Sequence, residues 1–154
     1  TGRELVVASS TGRLLRLSVN DADLPVMGRT AQGPVLLRLL PGETVVGATS
    51  VAPNGSVLLA TAQGRIKRLA VAELRLCQRG DLGQIGLRFL ERGDQLVDLQ
   101  GDGSAVVAVQ LSGSPTRSLR QLTADLIVES PSEPGVDLGL PGGSTVEGLV
   151  PLNG

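Results

Sequence analysis

The sequence predicts an all-β fold made of three repeated units of about fifty residues, each with roughly four short strands. The side chains are the first indication, because leucine, valine and glycine dominate and Phe89 is the only aromatic residue. The 21 glycines and 9 prolines favour short strands joined by tight turns over long helices. The third indication is a strand-and-turn pattern that returns along the chain, which predicts blades arranged radially or stacked in a single repeat domain over residues 1–154.

The first half of each unit is an apolar strand, a turn closed by glycine and a second strand. Residues 5–17 read LVVASSTGRLLRL, and residues 57–69, which lie 52 positions further on, read VLLATAQGRIKRL. Glycine accepts the positive φ that such a turn requires. One glycine and two arginines stay in step between the copies, as Gly12, Arg13 and Arg16 in the first and as Gly64, Arg65 and Arg68 in the second.

The second half of each unit repeats with a slip of one residue. Its landmarks are Arg29, Gly33, Arg38 and Gly42 in the first unit and Arg79, Gly83, Arg88 and Gly93 in the second. A third unit keeps the spacing but little of the sequence, and we assign Arg117 to the position of Arg68. The predicted blades are residues 3–52, 53–100 and 101–152.

The residue types that are absent restrict the chemistry. A chain without histidine lacks the commonest general base and the commonest metal ligand. Cys77 is the only cysteine, so neither an intrachain disulfide nor a zinc site can form. We therefore expect no metal, no cofactor and no enzymatic activity in this chain. No apolar run approaches the roughly 20 residues that cross a bilayer, which predicts no membrane association and a cytoplasmic location.

The net charge of −1 conceals an uneven distribution. Residues 1–50 and 51–100 have balances of +1 and +2, whereas residues 101–154 have a balance of −4. We expect the acidic third unit to cap the array. The near absence of aromatic side chains argues against single-stranded nucleic acid, which binds largely by base stacking.

The first two units resemble a known family. Residues 12–17 read GRLLRL, residues 28–33 read GRTAQG and residues 42–47 read GETVVG. This pattern closely resembles a blade of the C-terminal domain of the A subunit of bacterial DNA gyrase or topoisomerase IV. The resemblance covers residues 4–100 and implies a β-pinwheel, a propeller-like disc whose blades exchange strands and whose basic rim bends or wraps duplex DNA.

Two departures from the family qualify what the resemblance implies. Family discs usually have five or six blades, so three blades predict a partial or open disc, or one completed by self-association. Gyrase also carries a Gln-Arg-Arg-Gly-Gly-Lys-Gly box that supports full wrapping. Residues 78–83, QRGDLG, keep only a fragment of it, and Asp81 would repel phosphate. We therefore do not expect strong wrapping.

The resemblance implies a non-catalytic accessory domain of a type IIA topoisomerase A subunit, bacterial and located at the nucleoid. The catalytic tyrosine of these enzymes cannot lie in this chain, which contains no tyrosine. The expected partners are double-stranded DNA, with little sequence preference, and the catalytic core of the parent enzyme. Recurring basic residues would contact phosphates along a curved rim. The predicted DNA-binding residues are Arg13, Arg16, Arg29, Arg65, Lys67, Arg68 and Arg79.

Two alternatives remain open on the sequence alone. Arg38 and Arg88 lie in apolar strands, where they serve either packing or pairing within the blade, which we favour, or DNA contact. The low net charge, the broken box and the acidic third unit are also compatible with a structural or protein-interaction pinwheel that has lost DNA wrapping.

Overall fold

A computed structural model describes residues 3–18, 37–112 and 117–152. These residues form twelve strands in three sheets, with two single 3-10 turns at Val71–Glu73 and Thr123–Asp125. The predicted all-β fold with three blades is confirmed. The strands are β1 Glu4–Ser9, β2 Arg13–Ser18, β3 Val45–Val51, β4 Ser56–Thr61, β5 Arg65–Ala70, β6 Gln84–Ile85, β7 Leu96–Gly101, β8 Val106–Leu111, β9 Arg117–Leu122, β10 Val128–Glu129, β11 Val136–Asp137 and β12 Val146–Leu152.

Each sheet is centred on an antiparallel hairpin, β1–β2, β4–β5 or β8–β9. An inner strand, β3, β7 or β12, pairs with the first strand of each hairpin. The first hairpin turns at Gly12, whose φ of 86° suits glycine. A Cβ there would also lie 2.7 Å from a methyl carbon of Leu87, so the turn has no room for a larger residue.

The blades exchange strands at their outer edges. The first sheet has the order β3-β1-β2-β6, and β6 belongs to the second unit. In the second sheet β5 pairs with β10 in parallel and with β11 in antiparallel, and both of these strands belong to the third unit. We call residues 76–85 the second arm, which covers β2, and residues 128–137 the third arm, which covers β5. Residue 76 forms a parallel bridge to β2 at Arg16, as residue 128 pairs with β5 at Arg68.

The inner strands join neighbouring sheets. Asp98 on β7 accepts a hydrogen bond from the backbone N–H of Leu149 on β12 at 2.8 Å. Gly101 donates its N–H to Thr49 on β3 at 3.1 Å. The core is divided into three clusters of aliphatic side chains, in keeping with the near absence of aromatic residues. Their burial is the main favourable contribution to folding.

The strand register overturns one assignment made from the sequence. Arg16 lies opposite Val6, Arg68 opposite Leu58 and Arg120 opposite Ala108. Arg120 therefore occupies the position of Arg68 in the third unit, and our placement of Arg117 there is wrong. Arg117 begins β9 and corresponds to the first residues of β2 and β5, which are Arg13 and Arg65. Arg120 lies 52 residues after Arg68, as Arg68 lies 52 residues after Arg16, and the sequence-based alignment departed from that spacing when it chose Arg117.

Candidate nucleic-acid interface

Arg16 and Arg68 connect each blade to the next. The Arg16 guanidinium donates to the carbonyl of Leu74 at 2.8 Å and forms an ion pair with Glu4, with Nε 2.6 Å from Oε1. Arg68 donates to the Thr123 carbonyl at 3.2 Å. Both acceptor carbonyls lie at the 3-10 turn that leads into the following arm. We call Arg16 and Arg68 the strut arginines, because each one ties an edge strand to the arm that covers it.

The strut arginines differ in the acceptor within their own blade. Ser56 stands in β4 where Glu4 stands in β1, and its hydroxyl accepts from Arg68 Nε at 2.8 Å. The same hydroxyl donates to an Asp102 carboxylate oxygen at 2.9 Å. A neutral hydroxyl thus links guanidinium and carboxylate in the second blade, where the first blade uses a direct ion pair.

Arg13 and Arg65 also have acidic partners inside the molecule. Arg65 Nε lies 2.9 Å from Glu91 Oε1, and Arg65 Nη1 donates to the Gly135 carbonyl at 2.9 Å. The hydrogen bond from Arg65 holds the pKa of Glu91 below its usual range and raises that of Arg65. Arg13 Nε lies 3.5 Å from Glu43 Oε2, and about a quarter of the Arg13 side chain remains exposed, at 24%. These two guanidinium groups stabilise hairpin turns and keep some accessible surface.

Glu43 is the buried centre of a polar network under the first hairpin. It accepts hydrogen bonds from the Ser9 hydroxyl at 2.7 Å, from the Leu40 N–H at 2.7 Å and from the Thr11 hydroxyl. Burial alone would raise the pKa of Glu43, but these hydrogen bonds and the charge of Arg13 outweigh it and hold the pKa below its usual value. The carboxylate is therefore ionised and satisfied inside the fold.

Among the predicted DNA-binding residues that the structure describes, Lys67 is the most deeply buried, with 1% of its surface exposed. Its ammonium donates to the carbonyls of Gly86 at 2.6 Å and Glu133 at 2.9 Å, the second of which lies in the third arm. Burial lowers the pKa of Lys67 to about 8, although the charges of Glu129, Glu133 and Glu73 raise it in part. Lys67 therefore has very little accessible surface to offer a phosphate group.

The remaining predicted residues are Arg29 and Arg79. Arg29 lies outside the described residues. Arg79 is exposed in the second arm, within a turn that closes where the Gln78 N–H donates to an Asp81 carboxylate oxygen at 3.0 Å. The carboxylate that we expected to repel phosphate is thus a turn-capping group. The DNA contacts assigned to all seven residues remain predictions.

Four further arginines are exposed near the arms: Arg38, Arg75, Arg88 and Arg92. We assigned Arg38 and Arg88 to packing or pairing, but only their backbones pair with the next unit. The Arg38 N–H donates to the Asp81 carbonyl at 3.0 Å and the Arg88 N–H to the Glu133 carbonyl at 3.2 Å, while both side chains face solvent. The alternation of Leu37, Arg38 and Leu39 carried this information, since alternate residues of an extended chain point to opposite sides.

The arm surface changes character between the second and third units. Arg75, just before the second arm, and Arg79, within it, have counterparts 52 residues further along the chain. These counterparts are Ile127, which is 79% exposed, and Pro131. Between the two arms lies a shallow apolar groove of about 440 Å³, lined by Ile85, Leu87, Arg88, Pro131 and Ser132. Exposed arginine is therefore concentrated on the second arm and its surroundings.

The described parts of the chain contain neither a cluster of metal ligands nor a membrane-spanning helix. Within residues 3–18, 37–112 and 117–152, no group of three or more Cys, Asp or Glu side chains is placed to hold a metal ion. No helix among those residues has the length and apolar character needed to span a bilayer.

Comparison with known proteins identifies the family. Residues 3–52 and 55–100 match the family model described as the DNA gyrase C-terminal domain, a β-propeller. The chain belongs to the DNA gyrase C-terminal domain family. This confirms the resemblance seen in the first two units, and the matched stretches include Arg29 and every other residue predicted to contact DNA.

The relatives that the chain matches are much longer proteins. It is 36% identical over 117 residues to the A subunit of DNA topoisomerase 4 of Synechocystis sp., and this match covers 76% of the chain and 12% of the relative. It is 33% identical over 108 residues to the A subunit of DNA gyrase of Klebsiella oxytoca, covering 70% of the chain and 11% of the relative. The chain thus matches about an eighth of the length of these relatives.

A solved structure has the same fold. The crystal structure of the C-terminal domain of DNA topoisomerase IV matches with a TM-score of 0.72 at 18% sequence identity. The match covers 99% of this chain and 48% of that one. The three blades of this chain therefore correspond to about half of the C-terminal domain of DNA topoisomerase IV.

Proposed function

We propose that this chain is a non-catalytic accessory domain of a type IIA topoisomerase A subunit, which binds and bends duplex DNA and works with the catalytic core of its parent enzyme. Membership of the gyrase C-terminal domain family supports the proposal. The observation that carries it at the level of residues is the concentration of exposed arginines on the second arm and beside it.

The main phosphate contacts in this proposal are Arg38, Arg75, Arg79 and Arg88. Their side chains are exposed, and phosphate contact needs accessible positive charge rather than a particular base sequence. Arg13, Arg16, Arg65 and Arg68 stay in the proposal as secondary contacts, because their side chains are less exposed. Arg29 stays in it on the strength of the sequence alone. Bending the duplex costs on the order of several kcal/mol and has to be offset by many such contacts.

The test is a titration of a short fluorescent duplex at several salt concentrations. Reversing three charges together, with Arg75→Glu, Arg79→Glu and Arg88→Glu, should weaken binding and make log K less dependent on log salt by about 0.9 for each phosphate that is no longer neutralised. The matched control replaces the same three residues with lysine, which keeps the charge and should keep most of the affinity and salt dependence. Binding that is absent at low salt, or insensitive to salt, would refute DNA binding.

The second candidate is a structural or protein-interaction pinwheel. The observation that favours it is the internal pairing of Arg13, Arg16 and Arg65 with acidic residues, in a chain of net charge −1. Under this alternative, the triple reversal leaves both duplex affinity and supercoiling or decatenation by the parent enzyme unchanged.

A further inference from the structure

The third arm and the residue before it present apolar side chains to solvent. Ile127 is the most exposed large apolar residue in the described part of the chain, and close to half of Val128 and of Val136 is exposed. Val128 pairs with β5 at Arg68 and Val136 pairs with it at Ile66, so the two lie about 7 Å apart along that strand. We call Ile127, Val128 and Val136 the third-arm patch.

A neighbouring blade does not cover these positions. The counterparts of Ile127 and Val128 in the second unit, 52 residues earlier, are Arg75 and Leu76. The third unit follows the second, yet Arg75 is exposed and about half of Leu76 remains exposed. The two positions therefore face outward even in a blade that has a neighbour after it. Their exposure in the third unit is a property of the outer surface and not of the contact between blades.

Acidic side chains flank each apolar residue of the patch along the chain. Asp125 stands two residues before Ile127, Glu129 follows Val128, and Asp137 follows Val136. Asp125 and Asp137 are exposed. Residues 121–154 contain five acidic residues and no basic one. This surface repels the closely spaced phosphates of a duplex, so the patch lies outside the region that suits DNA.

We propose that the third-arm patch is a docking surface for a partner protein that presents an apolar side chain flanked by lysine or arginine. The aliphatic side chains of the patch supply apolar area to bury, and the acids around them supply the complementary charge at its rim. A phosphate backbone offers neither complement. The proposal goes beyond DNA binding and does not rest on it, since it gives a different class of partner to an arm without exposed arginine.

The three isoleucines of the chain make the patch directly observable by methyl NMR. Ile127 belongs to the patch, Ile66 is buried in β5, and Ile85 is about half exposed on the second arm. The probe is a synthetic peptide of about 14 leucine and lysine residues with the leucines on one helical face. Titrated into the isoleucine-labelled chain, it should shift the Ile127 signal to saturation and leave the Ile85 signal in place. The Ile66 signal reports that the fold is intact.

Two further peptides separate apolar contact from charge attraction. An all-lysine peptide of the same length should bind at least about tenfold more weakly, because burial of a single aliphatic side chain accounts for about that factor. A peptide of leucine and glutamate should not bind, because its charge has the same sign as that of the patch. Equal affinity for the all-lysine and the leucine–lysine peptides would overturn the proposal.

A double variant gives the patch the residues that the second unit has at the same positions. Ile127→Arg and Val136→Gln introduce the counterparts of Arg75 and Gln84, which the second blade already accommodates. The affinity for the leucine–lysine peptide should fall at least about tenfold. The matched control is Leu90→Arg, which makes the same charge change at a half-exposed leucine of the second unit and should leave the affinity within about twofold.

A duplex titrated into the same labelled chain keeps this proposal and the DNA-binding proposal apart. DNA bound to the second arm should shift the Ile85 signal and leave that of Ile127 in place, so either proposal can fail while the other stands. The docking surface is overturned if the leucine–lysine peptide leaves the Ile127 signal unchanged or binds the double variant as tightly as the wild-type chain. It is also overturned if the duplex, and not the peptide, shifts Ile127.

Discussion

The burial of Lys67 predicts that the protein becomes more stable as the solution becomes alkaline. In the folded protein, burial brings the pKa of Lys67 down to about 8 from a usual value of 10.5. Below pH 8 both the folded and the unfolded chain bind the proton, so the folded state bears the full cost of the buried ammonium. Between pH 8 and 10.5 the unfolded chain binds more protons than the folded one, and the free energy of unfolding therefore rises with pH.

The size of this effect follows from the same two pKa values. At about 1.36 kcal/mol per pKa unit, the fall from 10.5 to about 8 is worth roughly 3 kcal/mol. The two carbonyls that accept from the ammonium, and the three nearby glutamates, are already included in that pKa. A gain of this size is a large fraction of the roughly 5–15 kcal/mol that is typical of whole domains.

Composition makes the measurement unusually clear. Lys67 is the only lysine, and the sequence contains neither histidine nor tyrosine. Cys77 is the only cysteine, and the Cys77→Ser background removes its thiol from the measurement. Urea unfolding followed by far-ultraviolet circular dichroism at intervals from about pH 7 to about pH 10.5 gives the stability curve. The titration of the single lysine Cε signal by NMR gives the pKa directly.

Lys67→Met decides whether Lys67 is responsible. The variant should abolish the rise above pH 8, because methionine fills similar space without a titrating group. Its stability at neutral pH is less informative, since removal of the buried charge is opposed by two carbonyls left without a donor. A flat or falling curve for the wild-type protein, or a rise that persists in the variant, would refute the reasoning.

The remaining predictions concern stability at neutral pH. Arg68→Met should lower the free energy of unfolding by about 1–3 kcal/mol, because the two hydrogen bonds of the Arg68 guanidinium are removed. Arg120→Met, at the same register position, should change the free energy of unfolding by less than about 0.5 kcal/mol. Equal losses for the two variants in urea unfolding would contradict the strut role. Gly83→Ala should be more damaging than Gly93→Ala. Both glycines have positive φ, but a Cβ at Gly83 would lie 2.3 Å from a β2 carbonyl oxygen, and one at Gly93 meets nothing within 4 Å. If the two alanine variants have the same melting temperature, close packing of the second arm on β2 is not the reason for the glycine.

The repeat in the sequence was enough to predict the blades, but it did not predict which groups their arginine side chains contact. Both a DNA-contacting rim and an internal strut produce a basic residue at constant spacing. The difference lies in the acceptor, which is a backbone carbonyl 58 residues further along the chain for Arg16 and 55 residues further for Arg68. A backbone carbonyl is present at every position, so no sequence pattern marks the ones that accept. Arg38 and Arg88 do recur, 50 residues apart, but their place in apolar strands favoured packing over exposure. Arg75 and Arg92 were missed because no arginine of the first unit corresponds to them.

Lys67 shows where the sequence did contain the answer. The alignment of the two hairpins sets Lys67 against Leu15, a residue in the apolar face of its strand. A lysine at a core position is either paired inside or neutral, because an isolated buried charge is too costly. The same reasoning applies to β9, where Leu119 occupies this core position and Arg120 the strut position. In the first two blades the following unit covers these positions and supplies a carbonyl to the strut arginine, whereas Leu119 and Arg120 are exposed in the third blade, where no arm among the described residues covers β9.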